Sequence, residues 1–121
     1  MRQESVNIDC SYCGGTLRVS KLTCEECGLA LEGEFSTPRL LRLEAEERHF
    51  VELFVLASGS LKEMANLLGV SYPTVRNRLD RLIENLKKLQ ALDDQRKQQI
   101  LQDMEAGRIP PKKGMRLLEN L

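Results

Sequence analysis

Four cysteines occupy two copies of one short motif near the start of the chain. Both copies read C-x-x-C-G, and the cysteines are Cys10, Cys13, Cys24 and Cys27. A gap of two residues lets both sulfurs of a pair reach one ion, and the glycine can adopt a positive φ that turns the backbone under the thiolates. Four thiolates suit a closed tetrahedral Zn²⁺ site. The spacing therefore predicts one structural zinc ion held by these cysteines.

Zinc has three competitors as the reason for this cysteine spacing. A rubredoxin-like iron site uses similar pairs, but the ten-residue spacer and an aromatic content of 4% argue against it. A redox C-x-x-C normally occurs once, beside a βαβ pattern that this sequence lacks. Accidental spacing does not account for a whole motif that occurs twice. Four sulfurs also leave no open coordination position, so the ion is expected to be structural and not catalytic.

A second group of chemically capable side chains lies on one face of a helical pattern after residue 71. Apolar residues recur every three or four positions and define the opposite, buried face; they are Val75, Leu79, Leu82 and Leu86. The outer face carries Tyr72, Thr74, Arg76, Asn77 and Arg81. Arginine pairs bidentately with guanine, and asparagine pairs with adenine. This layout is typical of a recognition helix, whose N-terminal polar side chains reach base edges in the major groove.

Local sequence signals predict the two helices that precede this face. Residues 38–57 carry apolar side chains at helical spacing and predict an amphipathic first helix. Ser60 and Glu63 form a capping box, which predicts a short second helix over residues 61–68. Lys62, in the first turn of that helix, is expected to contact DNA phosphate or sugar.

A tight turn is predicted between the second helix and the third. Gly69 is expected to be left-handed and to end the second helix. Ser71 is expected to cap a third helix from Tyr72 to about residue 89, and with Tyr72 and Thr74 to contact DNA backbone. The predicted shared core is Met64, Leu68, Val70, Val75, Leu79, Leu82 and Leu86. A plain three-helix bundle with a basic outer face fits the same periodicity, so the pattern alone leaves DNA binding open.

The segments around the cysteines predict a small β-structure. Residues 16–23 alternate apolar and polar side chains, which predicts a hairpin between the two cysteine motifs, and residues 29–35 predict a third strand. A module of 35 residues buries too little apolar surface to fold alone, so metal binding is expected to supply much of its folding free energy. The module is a zinc ribbon in outline.

The C-terminal segment predicts a helical hairpin. Ile100 and Met104 lie on one helical face, and Gly107 is placed to end that helix. Residues 110–111 are both proline and are expected to begin another helix. This hairpin is a candidate surface for a homodimer or a protein partner, and a hairpin that only covers the bundle fits equally well.

Composition sets the fold class. Of the 121 residues 30% are charged, 41% apolar and 4% aromatic, which favours helices because strands are rich in β-branched and aromatic residues. The prediction is a mainly α protein with a small β zinc ribbon. Its domains are an N-terminal ribbon with four cysteines over 1–35, a central three-helix helix-turn-helix bundle over 36–90 and a C-terminal helical hairpin over 91–121.

Charge is balanced over the whole chain but not along it. Eighteen basic and eighteen acidic residues cancel, while 1–35 carries a formal charge of −3 and 60–88 carries +3. Attraction to double-stranded DNA must therefore be local to the middle module. No apolar run approaches the roughly 20 residues of a membrane span, and residues 1–10 lack the apolar core of a secretory signal. A cytoplasmic protein without membrane contact is expected, in which cysteines serve as metal ligands.

The order of motifs resembles a family of uncharacterised prokaryotic proteins described as transcriptional regulators. The resemblance rests on the cysteine motifs, the phrase Glu-Gly-Glu-Phe at 32–35 and residues 71–80, and it covers about residues 8–88. Residues 64–79 are similar to the helix-turn-helix in region four of sigma factors. Residues 100–109 resemble a short C-terminal hairpin known as the SHOCT-like motif. These resemblances imply a zinc ribbon joined to a DNA-binding bundle.

Three classes of function follow from the sequence. The leading hypothesis is a zinc-containing DNA-binding transcriptional regulator that reads the major groove with the helix starting near Tyr72. The alternative is a protein-interaction adaptor that uses the ribbon and the C-terminal hairpin without DNA. An enzyme is not expected, because the sequence offers one histidine, His49, with no nucleophile arrangement around it and no phosphate-binding glycine loop.

Overall fold

The computed structural model describes residues 9–119 and residue 121. Its elements in chain order are β1 (Lys21–Thr23), β2 (Ala30–Glu32), a 3-10 helix (Arg39–Arg42), α1 (Ala45–Leu56), α2 (Leu61–Leu68), α3 (Tyr72–Glu105) and α4 (Pro111–Glu119). The prediction of a mainly helical protein with a small β-ribbon near its start is confirmed. Residues 1–8 of the predicted N-terminal module and residue 120 lie outside the described residues.

The described residues form two compact units. One contains residues 39–91, and the other contains residues 9–38 together with 92–121. The predicted division into three domains, with boundaries after residues 35 and 90, stays a prediction. None of the described helices combines the length and the apolar composition that a membrane span needs.

The unit of residues 39–91 is a helical bundle built around an apolar core. Its buried residues are Leu43, Phe50, Ala57, Met64, Ala65, Val75 and Leu82. Leu68, Val70, Leu79 and Leu86 are partly buried against them, so the predicted core is confirmed. Asn85 of α3 also donates a hydrogen bond to the Glu47 carboxylate of α1 over 2.8 Å.

The first helix of this bundle begins later than predicted. A 3-10 helix covers Arg39–Arg42, and α1 starts only at Ala45, so a single helix over 38–57 is wrong. The guanidinium of Arg48 in α1 donates hydrogen bonds to the backbone carbonyls of Leu41 and Leu43. Those carbonyls lie where the chain changes from one helix to the next, so an α1 side chain satisfies the backbone groups that the break exposes.

The predicted caps of α2 are present. Ser60 accepts a hydrogen bond from the Glu63 backbone N–H over 3.2 Å, and the helix begins at the next residue. Gly69 has φ 66° and ψ 32°, the left-handed conformation that ends a helix. The Val70 N–H then donates to the Ala65 carbonyl over 3.1 Å, and this bond holds the turn toward α3.

The third helix is much longer than predicted. It continues to Glu105, so an end near residue 89 is wrong, and the polar stretch 93–99 is helical. Arg, Lys and Gln are strong helix formers, and the sequence contains neither Gly nor Pro between Pro73 and Gly107. Polarity alone does not make a loop, and nothing in the chain breaks the helix before Gly107, which has φ +75°.

Two short strands form the sheet of the second unit. They are antiparallel, with Lys21 opposite Glu32 and Leu22 opposite Leu31. The predicted hairpin between the two cysteine motifs is wrong, because β1 and β2 flank the second motif. Each cysteine loop is itself the turn of a hairpin, so the strands must lie on either side of a loop.

The C-terminal part of the second unit contains two helical segments in close contact. Ile100 is buried, with 2% of its surface exposed. Gly114 of α4 is also buried, and a Cβ built there would lie 2.2 Å from the sulfur of Met104. The predicted end of a helix at Gly107 and the start of the next at the two prolines are confirmed, with α4 beginning at Pro111.

Candidate nucleic-acid interface and metal centre

The first cysteine loop is closed by backbone hydrogen bonds. The Cys10 N–H donates to the Gly15 carbonyl over 2.7 Å, and the Gly14 N–H donates back to the Cys10 carbonyl over 2.8 Å. Gly14 has φ +74°, so its positive φ is what lets the chain reverse after Cys13. The Gly15 N–H also donates to the Cys13 sulfur over 3.4 Å.

The second loop repeats this geometry. The Cys24 N–H donates to the Leu29 carbonyl over 2.7 Å, and the Gly28 N–H donates to the Cys24 carbonyl over 2.9 Å. Gly28 has the same φ of +74° as the corresponding glycine of the first loop. The repeated sequence motif therefore produces a repeated backbone structure that presents two sulfurs from each loop.

Backbone amides in each loop point at a cysteine sulfur. Hydrogen bonds from the N–H of Cys13, and next from that of Tyr12, lower the pKa of the Cys10 thiol. In the second loop, bonds from Cys27 and then Glu26 lower the pKa of the Cys24 thiol. Lower thiol pKa values favour the thiolate, which is the form that binds metal. The chemistry of these donors therefore suits a thiophilic ion.

The structure brings the cysteines together as two pairs. All four thiols are free of disulfides. Within residues 9–119 and 121, no three His, Cys, Asp or Glu side chains are placed to hold one metal ion together. Each pair fits half of a four-sulfur site, and the joining of the pairs around one ion stays a prediction.

The second candidate site is the outer face of α3 in the helical bundle. Val75 is completely buried and Leu82 is 5% exposed, so these residues fix which side of α3 faces the core. Arg76, Asn77 and Arg81 are exposed, as predicted for side chains that meet a ligand. Each step along a helix turns about 100°, so the residue after Val75 already points away from the core.

The hydroxyl groups at the start of α3 contact each other. The Oγ of Ser71 accepts a hydrogen bond from the Thr74 N–H over 3.4 Å and lies 2.8 Å from the Thr74 hydroxyl oxygen. Ser71 thus caps α3 as predicted, and Thr74 is half-buried beside it. Tyr72 is 52% exposed and Lys62 of α2 is also exposed. DNA contact by these four residues stays a prediction.

Sequence reasoning missed an ion pair on this outer face. The Arg76 guanidinium Nη2 lies 3.3 Å from the Asp80 carboxylate Oδ1, and both side chains are 53% exposed. Residues four apart on a helix are neighbours, so opposite charges at positions 76 and 80 were a signal that could have revealed the pair. Arg78 is a further exposed cation of α3 that was not among the predicted site residues.

Fold and site together define a zinc-ribbon protein with a helix-turn-helix. Family comparison gives the same two parts: the DUF2089 zinc ribbon matches residues 10–41, and the domain of unknown function (DUF2089)-HTH matches residues 43–89. The chain therefore belongs to the DUF2089 family. No curated protein and no solved structure matches the chain significantly. Membership indicates zinc binding through the cysteine pairs and suggests DNA binding through the helix-turn-helix.

Proposed function

We propose that the protein is a zinc-containing DNA-binding transcriptional regulator. The observation that carries this proposal is the outer face of α3, where Arg76, Asn77 and Arg81 are exposed while Val75 and Leu82 are buried. A left-handed glycine turn precedes α3, as in helix-turn-helix proteins. Such proteins place this second helix in the major groove.

The proposal gives each exposed residue a role. Arg76 and Arg81 would pair with guanine, and Asn77 would pair with adenine. The residues that would contact phosphate or sugar and fix the register are Lys62, Ser71, Tyr72 and Thr74. The formal charge of +3 over residues 60–88 supports attraction of phosphate to this part of the chain.

One structural zinc ion is part of the same proposal. The matched loops around Cys10, Cys13, Cys24 and Cys27 would hold it with four sulfurs. When bound, the ion would cross-link the loops and supply folding free energy that the exposed strands of the ribbon do not supply. Four thiolates would leave no coordination position for a substrate.

The proposed protein is not an enzyme and works in the cytoplasm. His49, the one histidine in the sequence, is exposed on α1. Thiolate zinc ligands suit a reducing compartment, where cysteines remain reduced. A homodimer or a protein partner at the C-terminal helices is a further element of the proposal.

The proposal is tested with zinc-loaded full chain and a library of random DNA duplexes. We expect a preferred site to be enriched and the affinity for it to fall linearly with the logarithm of salt concentration. Arg76→Ala or Asn77→Ala should weaken that site by about 1–3 kcal/mol and relax its specificity. Lys62→Ala should weaken all duplexes alike and lower the salt slope by about one.

Lys97→Ala provides a matched control, because it removes an exposed cation from α3 beyond the matched helix-turn-helix region. We expect its affinity and specificity to equal those of the parent. A parent chain that binds no duplex at low salt contradicts the DNA-binding function.

One observation favours the second candidate function, a protein-interaction adaptor. Leu22 and Leu31 are opposite each other across β1 and β2. The hydrogen bond from Cys24 to Leu29 continues the same ladder, so Leu29 lies on the same face as Leu31. These three leucines are 50–60% exposed. Contiguous exposed apolar surface of this kind is typical of protein contact sites.

The two candidate functions predict different results for one variant. In an adaptor, Leu31→Ser would abolish partner binding, and in the DNA-binding regulator it would leave duplex affinity unchanged. The measurement is duplex affinity of the variant beside that of the parent. The adaptor function replaces the regulator if the parent shows no salt-dependent duplex binding.

A further inference from the structure

Asp80 is an acidic side chain on the face of α3 that the proposed function directs toward DNA. A carboxylate there repels phosphate, so it lowers affinity for every DNA sequence alike. Its contact with Arg76 is an exposed ion pair, and exposed pairs contribute little to the stability of the folded state. Neither affinity nor stability therefore gives Asp80 a role.

The geometry points to a role in orientation. Asp80 Oδ1 lies 3.3 Å from Nη2 of Arg76, so the carboxylate contacts one of the two terminal nitrogens of the guanidinium. Arginine has five N–H donors in a planar fork. A contact at one nitrogen leaves the donors at Nε and Nη1 for another acceptor, and it restricts the rotation of a long and mobile side chain.

We propose that Asp80 is a positioning residue that holds the Arg76 guanidinium for bidentate pairing with guanine and thereby determines specificity at that base pair. This inference rests on the proposed DNA-binding function. Guanine presents O6 and N7 as two acceptors to a planar fork. Exclusion of water at the interface strengthens the Arg76–Asp80 pair because the local dielectric constant falls.

The pair implies a trade between affinity and specificity. The Asp80 charge weakens binding to all duplexes, while a held Arg76 favours guanine over the other bases at one position. Removal of the charge should therefore increase affinity for unrelated DNA and decrease discrimination at the position that Arg76 reads. A carboxylate that only faced solvent would produce the first effect without the second.

Glu84 provides the matched control for the charge. It is the next acidic residue on α3, four positions beyond Asp80, and it is exposed. Eight residues separate it from Arg76, which is about 12 Å along a helix and beyond the reach of an ion pair. Glu84→Gln thus removes the same charge from the same helix without removing a contact to Arg76.

The test uses zinc-loaded full chain and the site selected from random duplexes by the parent. The base pair read by Arg76 is the one at which Arg76→Ala loses discrimination among single-base variants of the site. At that pair, Asp80→Asn should reduce the preference for guanine by roughly 5- to 100-fold, the range that one bidentate contact supplies. It should also tighten binding to an unrelated duplex by a few-fold.

Two further variants separate positioning from other roles. Asp80→Glu keeps the carboxylate and should retain most of the guanine preference. The double variant Arg76→Ala with Asp80→Asn should lose no more discrimination than Arg76→Ala alone, because Asp80 acts through the arginine. Parent-like circular dichroism and melting of each variant would show that the fold is intact.

Several results overturn the inference, and each has a different meaning. If Asp80→Asn changes all duplexes equally, as Glu84→Gln should, Asp80 is only a solvated charge. If it loses preference at a different pair, one with cytosine, Asp80 reads that base directly. If the parent selects no site, the DNA-binding function itself fails, and this is seen before any variant is made.

Discussion

The helical bundle and the ribbon of this chain are stabilised by different means. In residues 39–91, α1, α2 and α3 bury an apolar core whose centre includes Met64 and Val75, both fully buried. In the ribbon, every residue of β1 and β2 is exposed. The bundle therefore gains its free energy from packing, whereas the ribbon depends on its two backbone-closed loops and on a metal ion that would join them.

This difference indicates how the chain divides its work. A packed core holds α3 rigidly, and a rigid helix can present side chains to a base edge with defined geometry. A ribbon that needs metal for its order responds to the supply of that metal. Four predictions test the contrast, each through a different source of stability.

The largest effect is expected from loss of a metal ligand. Cys24→Ser should release the zinc and unfold the ribbon, because three sulfurs bind the ion less tightly and little apolar surface is buried there. The bundle should keep most of its helical signal. The measurements are zinc content by elemental analysis and amide NMR spectra of the two regions.

Glu25→Gln is the control for Cys24→Ser, because it changes a side chain of the same loop that is not a predicted ligand. It should retain the metal and the ribbon spectrum. Iron in the purified parent, or zinc fully retained by Cys24→Ser, would contradict the four-sulfur zinc site.

A core truncation in the bundle should follow in size. Met64 is 0% exposed, and Met64→Ala should lower the free energy of unfolding by about 2–5 kcal/mol because it leaves a cavity. Leu67→Ala on the same helix is the control, since Leu67 is 59% exposed, and it should cost about 0.5 kcal/mol or less. Denaturant unfolding followed by helical signal measures both. Equal costs would mean that packing around Met64 does not hold the bundle.

The part of the fold that sequence predicts well is the part with local causes. The bounds of α2 follow from Ser60 and Gly69, and both signals act within a few residues of where they stand. The cysteine pairing within each loop and the exposure of Arg76 and Asn77 likewise follow from spacing and periodicity. Such features depend little on distant parts of the chain.

The errors have physical reasons as well. The strands are wrongly predicted between the cysteine motifs because alternation of side chains does not reveal that each C-x-x-C-G loop is the hairpin turn. The predicted end of α3 is too early because a charged helix and a charged loop have similar composition. The contact of Arg48 with the carbonyls of Leu41 and Leu43 depends on how the chain folds back, which periodicity does not encode.

A smaller effect is expected at the turn between α2 and α3. Gly69→Val should destabilise the bundle by about 1 kcal/mol or more, because a β-branched residue resists positive φ. A Cβ at this position would meet no atom within 4 Å, so the whole cost is conformational. Gly69→Asn should cost less, since asparagine tolerates the left-handed region. Equal melting midpoints for the valine and asparagine variants would contradict this conformational cause.

The smallest effect concerns a carboxylate in the C-terminal part of the second unit. Asp103 accepts hydrogen bonds from Arg108 Nε over 2.9 Å and from Gln99 Nε2 over 3.0 Å. These bonds, that from Arg108 first, lower the pKa of Asp103 below its ordinary value of 3.8. A depressed pKa means that the carboxylate stabilises the fold above pH 3.8, and that this contribution is lost as the pH falls through the folded-state pKa.

Site-resolved NMR titration of the Asp103 carboxyl measures this shift. Global melting in acid would not isolate it, because acid also protonates thiolates that bind metal. Arg108→Leu should raise the pKa of Asp103 toward its ordinary value, and Gln99→Leu should raise it less because Gln99 is the weaker of the two causes. An unchanged pKa in Arg108→Leu would show that the bond does not persist in solution. The end of the hairpin would then depend on apolar contacts such as that between Gly114 and Met104.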